Sequence, residues 1–217
     1  MLDAIKRFFK KLFGWKDVDK SVDVKRLSPK KKEVFVPLGS YHRNRAYYKA
    51  LYNSMKINKS AGLDFVVTKI NASKKRYEEA GYFCGIDWRV VAGLHLMETG
   101  LNFQRQILNG EPWGKTTTMI PKNRGPWDSW VKSCDEALRI HNFKGVTDLV
   151  DLLKKFERHN GMGYVRKGIH SPYLWSGSSH YSKGKFVKDG KYDPEAVSEQ
   201  IGVAVIMKKL GMSIKYN

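Results

Sequence analysis

The stripe Trp127, Trp130, Val131, Cys134, Ala137 and Leu138 recurs at offsets 0, 3, 4, 7, 10 and 11. Only an α-helix places such positions on one face, and so apolar a face must be buried against another element. Residues 127–141 are therefore predicted as a helix, and the same reasoning extends along the chain. Residues 41–57 and 64–80 read as helices, with Gly81 closing the second. Asp87 is a natural N-cap for a helix ending near Glu98. Thr147 can cap a helix that turns Leu149, Leu152, Leu153 and Phe156 inward. Asp193 and Pro194 form an N-cap and first-turn pair for a last, central helix carrying Ile201, Val205 and Lys208 on one face, with Gly211 as its stop.

Two stretches resist the helical period. In 109–126 a β-prone Thr116–Ile120 run lies between Gly and Pro residues, and a small hairpin or long loop is expected there. Residues 160–192 are rich in Gly, Ser and aromatic side chains, too polar for a core and too aromatic for an idle linker; loops of that length in compact domains are usually functional. The expected fold class is mainly α, an α+β arrangement with a small β-hairpin and a long aromatic loop, over residues 37–217.

Before that domain the sequence changes character. In residues 1–15, Leu2, Ile5, Phe9 and Leu12 keep helical spacing with Phe8 and Phe13 beside them, while Lys6, Arg7, Lys10 and Lys11 fill the other side. That pattern fits a helix lying on an anionic membrane, with Ile5, Phe8, Phe9, Lys10, Lys11, Leu12 and Phe13 as contacts, or one docked on the neighbouring domain. Residues 16–36 are charged and aperiodic, as in a flexible linker. The apolar part of the first helix is broken by lysines, so no secretory signal is read there.

Charge narrows the partner. Forty Lys and Arg face 21 Asp and Glu, a formal charge of +19. Residues 1–33 hold 11 basic and five acidic groups, a surplus of 6, so 13 of the excess belongs to the rest of the chain. An anionic polymer or surface is implied: nucleic acid, an anionic membrane face or an acidic cell-envelope polymer. The two cysteines, Cys84 and Cys134, show no disulfide or zinc-ribbon spacing, and Cys134 falls on a buried stripe. The six histidines lack the i, i+4 pairing of a helical zinc site, and no metal or cofactor is expected.

Glu98 is the carboxylate most oddly placed for structure. It closes the apolar run VVAGLHLMETGLNF, where the helix dipole disfavours an ionised side chain. Val90, Val91 and Leu94, three, four and seven places after Asp87, define a face that should be buried. Dipole and desolvation both predict a raised pKa, as a general acid acting on a glycosidic oxygen requires.

Four segments, HLMETGLNF (95–103), ILNGEPW (107–113), FERHNGMGY (156–164) and SPYLWSGSSHYSKGKFVKDGKYDPEAV (171–197), together resemble the lysozyme-like, lytic-transglycosylase-related endolysins of tailed phages. The resemblance runs from about residue 80 to 210. It implies a lysozyme-like domain that cuts the glycan strands of bacterial peptidoglycan at the MurNAc–GlcNAc bond, with Glu98 as the catalytic acid. It implies Asn102, Phe103, Asn160, Gly161 and Tyr164 as substrate contacts, and Tyr173, Trp175, His180 and Tyr181 as cleft walls. Three positions depart from the family pattern: His159 stands where Tyr is usual, Leu108 where His is common, and Glu111 where Asp is usual. A monomer made in the host cytoplasm and acting on the cell wall is expected, released with a holin or carried in a virion.

The second carboxylate is open. A retaining hydrolase needs a nucleophile roughly 5–5.5 Å from the acid, an inverting one a base at roughly 6.5–9.5 Å. Glu111 and Glu157 are the candidates. Without either, Glu98 would act as acid and then base while the sugar's C6 hydroxyl attacks, leaving an anhydro product. Two alternatives stand beside the glycosidase. One is a cysteine amidase or peptidase using Cys84 before a helix start, with His95, His141 or His159 as base. The other is a basic nucleic-acid-binding protein without catalysis.

Overall fold

Helix formation begins where side chains satisfy the free N–H groups that a first turn exposes. The computed structural model describes residues 43–58, 60–188 and 190–214. Within them Asn44 caps α1 (Arg45–Ser54), Ser60 caps α2 (Ala61–Ala72) and Asp87 caps α4 (Trp88–Thr99). Ser129 caps α5 (Trp130–Ile140), and Asp148 caps α6 (Leu149–His159). Between these lie α3 (Lys74–Cys84) and two single-turn helices, α7 (Gly163–Arg166) and α8 (Pro172–Trp175). The chain closes with α9 (Val203–Lys209). The membrane-facing helix and linker expected in 1–36, and residues 37–42, lie outside the described residues.

The architecture is mainly helical with one small sheet, as the periodicity predicts. The centre is α4, which buries Val90, Val91, Leu94 and Met97 and is covered by α3 on one side and α9 on another. The approach of α9 is close: a Cβ on Gly93 would stand 2.7 Å from Val203 Cγ2. Helix α5 packs on α3 and buries Trp130, Cys134, Ala137 and Leu138. Helix α6 turns Leu149, Leu152, Leu153 and Phe156 inward against α1 and α8. No helix among the described residues is long and apolar enough to cross a membrane.

Several boundaries differ from expectation for local reasons. The helix predicted over 64–80 is two helices, broken at Ser73, whose N–H bonds to the carbonyls of Ile70 and Asn71. Trp127 precedes α5 rather than opening it; its indole N–H donates to Glu136 at 2.6 Å. Asp193 does cap backbone, accepting from the N–H groups of Glu195 and Ala196, but what it closes is a turn. The last helix starts ten residues later, behind Gly202.

The hairpin forms in the aromatic loop and not in 109–126. Strands β1 (Lys185–Lys188) and β2 (Lys191–Asp193) pair antiparallel, Phe186 opposite Tyr192, with a bulge before Lys188. In 109–126 the Glu111 carboxylate takes the N–H groups that a partner strand would have taken. It accepts from the Thr118 N–H and hydroxyl and from the Met119 N–H.

Candidate active site

The C-terminal ends of α4, α5 and α6 converge on one cleft of about 1050 Å³, closed on its other sides by α8, β1 and the 198–201 segment. Glu98 enters from the last turn of α4. Gly100 ends that helix in the left-handed conformation, its N–H closing on the carbonyls of His95 and Leu96. The turn leaves the Glu98 side chain 18% exposed, facing the cleft.

His159, the last residue of α6, sets its Nε2 2.9 Å from Glu98 Oε1. The Tyr173 hydroxyl of α8 donates to the same oxygen at 3.4 Å. Oε2 receives no hydrogen bond among the described residues. Behind His159 stands His141, ring centroids 4.3 Å apart and nearly perpendicular. His141 Nε2 lies 3.3 Å from the Leu108 carbonyl; since a carbonyl only accepts, that nitrogen carries the proton. Burial, and then the His159 ring, push the His141 pKa below its ordinary value, so it is a neutral wall.

Of the residues implied as substrate contacts, Asn160, Tyr164 and Tyr173 line the cleft with Glu98. Asn160 donates to the Ser171 hydroxyl at 3.4 Å. Tyr164 accepts from the Phe186 N–H at 3.0 Å, which ties the hairpin to the cleft. Gly161 follows Asn160 in the left-handed region (φ 92°), exposed and with open space where a Cβ would point.

The other implied contacts are placed elsewhere, each by packing or hydrogen bonding. Trp175 is completely buried in the core and cannot wall a cleft. His180 packs edge-on against it at 5.7 Å and holds α1, its Nε2 2.9 Å from the Leu51 carbonyl. Phe103 packs at tilted and edge-on angles against Tyr77, His95 and Trp130, under the Arg76 guanidinium. Asn102 closes a turn by accepting from the Gln104 N–H. Tyr181 acts one step back, accepting from the N–H of Ser198, which does line the cleft.

Neither candidate for the second carboxylate reaches the cleft. Glu157 is 1% exposed, gripped by Arg43 and by the Tyr48 hydroxyl at 2.6 Å. Burial raises its pKa against the opposing pull of Arg43 and Tyr48. It is a structural ion pair because α6 turns 157 toward α1 and 159 toward the cleft. Glu111 is consumed by its loop: burial alone would raise its pKa, but the Thr118, Met119 and Asn109 hydrogen bonds outweigh that and lower it.

A cleft carboxylate that sequence reasoning passes over is Glu199, exposed on the 198–201 segment. Gln200 anchors this segment beside Glu98, donating to the Met97 carbonyl at 3.4 Å. The cation rim of Lys155, Arg158 and Lys185 is likewise visible only once α6 and β1 are placed. The i, i+3 spacing of Lys155 and Arg158 was the available signal.

Cys84 is 2% exposed at the end of α3, and burial pushes its thiol up to about 12. A cysteine mechanism there lacks its thiolate at neutral pH. No group of three or more His, Cys, Asp or Glu among the described residues is arranged to hold a metal ion. Comparison of the chain with protein-family models, curated protein sequences and solved structures returns no match.

Proposed function

We propose that this chain cleaves the glycan strands of bacterial peptidoglycan, with Glu98 as general acid, in a lysozyme-like domain serving host-cell lysis. The observation that carries the reading is the Glu98 carboxylate itself. One oxygen is held by His159 and Tyr173, and the other is left for a ligand in a cleft at the large end of small-molecule sites. Phe65, Tyr164 and Phe186 offer rings to apolar sugar faces, and Asn160, Ser198 and Gln200 offer polar groups to hydroxyls and N-acetyl amides. The rim of Lys155, Arg158 and Lys185 suits a polymer bearing peptide carboxylates.

In the proposed reaction Glu98 gives its proton to the glycosidic oxygen as the C1–O bond breaks. Charge developing at C1 is met by the carboxylate so formed. With Glu111 and Glu157 engaged elsewhere, the geometry favours one carboxylate working twice. Glu98 takes the proton of the attacking C6 hydroxyl, giving an anhydro end and restoring its own acid form. The runner-up is hydrolysis with Glu199 as the base that activates water.

Digestion of purified peptidoglycan, with mass spectrometry of the soluble products, tests this. Anhydro ends that vanish with Glu98→Gln and persist with Glu199→Gln support the single-carboxylate route. Reducing ends lost with either variant support hydrolysis. Freed peptide stems, or products unchanged by Glu98→Gln, overturn the glycosidase reading.

A further inference from the structure

His159 is held on several sides in the cleft. Its ring is fixed by α6 packing, with Phe143 at 6.0 Å, His141 at 4.3 Å and Tyr173 at 6.3 Å between ring centroids, and is 12% exposed. The groups facing it are Glu98 from α4, Tyr173 from α8 and His141 from the end of α5; Arg158 and Lys155 precede it on its own helix. Glu98 is the carboxyl member of this set.

We infer that His159 is a positioning residue for Glu98: it holds Oε1 and leaves Oε2 to carry the catalytic proton toward the substrate. This rests on the glycan-cleaving reading of the same cleft. With the imidazole neutral and protonated on Nε2, that N–H occupies Oε1 and confines the acid proton to Oε2, toward the substrate. When Oε2 gives its proton to the leaving oxygen, the Glu98 O–H bond breaks and a new O–H bond forms on the sugar. The charge left on the carboxylate then meets a donor already in place, which is electrostatic preorganisation by a group that never touches the substrate.

Replacing His159 by Gln keeps an N–H donor for Oε1, whereas Phe fills the space without one.

Steady-state rates of muropeptide release by the full chain decide the point. His159→Phe, which lacks the donor, should lose kcat roughly tenfold or more with KM within about twofold, and His159→Gln, which keeps a donor, should recover most of that loss. An equal loss of kcat in both variants at unchanged stability, or no loss in His159→Phe, overturns the inference; urea unfolding of both variants shows that the fold is kept. Failure of the glycosidase reading is separately visible, as no glycan cleavage by the wild type.

Discussion

The Tyr173 hydroxyl lies 3.4 Å from Oε1 of Glu98, the oxygen that His159 also holds. Burial, and next the Glu98 charge, raise the phenol pKa well above its ordinary value. Tyr173 is therefore a fixed donor throughout the working pH range. Tyr173→Phe removes one long hydrogen bond and keeps the ring in the cleft wall. Turnover on peptidoglycan should fall about two- to tenfold, matching about 0.5–1.5 kcal/mol for one hydrogen bond. The basic limb of the pH profile should stay where it is. Initial rates of muropeptide release across pH check both, and a shifted limb would mean that Tyr173 shares in the titration.

Glu157 and Arg43 join α6 to the segment before α1 across 114 residues of sequence. Both side chains are almost fully buried, and Arg43 also donates to the Ile169 carbonyl. Removing one partner of a buried pair strands the other charge, at a cost of about 3–5 kcal/mol. Glu157→Ala should lower the free energy of urea unfolding by about that much. Specific activity per folded molecule should remain within about a factor of two, since the carboxylate does not line the cleft. Lost turnover at unchanged stability would return Glu157 to the catalytic machinery.

The contrast between Glu98 and Glu157 shows how far the sequence was legible. Helix faces were, because a 3.6-residue period is a local property: the Trp130–Leu138 stripe and the Asp87 cap stand in the structure as expected. Glu98 was legible from its position at the end of a buried helix. Glu157 was not, since its partner Arg43 is distant in sequence and only the packing of α1 on α6 unites them. The aromatic segment was recognised as unusual, yet composition does not say which ring turns inward. Trp175 fills the core while Tyr173, two residues earlier, faces the cleft. Glu199 was hidden by Asp193 and Pro194, whose helix-start chemistry serves a turn.

Lys155 and Arg158 present cationic side chains along the cleft wall, and Arg158 is exposed. If they attract peptide carboxylates, their effect is on capture rather than on bond cleavage. The double variant Lys155→Glu, Arg158→Glu should raise KM about tenfold, at the low end of electrostatic steering effects, and leave kcat within about twofold. Added salt should weaken the unaltered protein more than the variant, because screening acts on the attraction that the variant has lost. Steady-state rates on peptidoglycan at several ionic strengths provide the check. Equal salt dependence of both proteins would remove these residues from substrate capture.

His95 predicts how the fold responds to acid. Its ring is completely buried on α4 beside Tyr77, whose hydroxyl lies 2.8 Å from Nδ1, and burial pushes its pKa down to about 3. In the unfolded chain the ring recovers an ordinary value near 6.5. Between these values the unfolded state binds a proton that the folded state refuses. The stability tied to the neutral ring is therefore fully present above pH 6.5 and is lost as pH falls toward 3. The steepest loss that one proton can produce is about 1.4 kcal/mol per pH unit. His141 and His170 are also held below their ordinary values, first by burial, and add to the same trend. Urea midpoints of the unaltered protein should therefore drop between pH 7.5 and pH 5. His95→Gln, with no titratable ring at that site, should be less stable at pH 7.5 yet show a shallower decline, because only His141 and His170 of this group still titrate. Parallel curves for the two proteins would show that protonation of His95 does not govern acid unfolding.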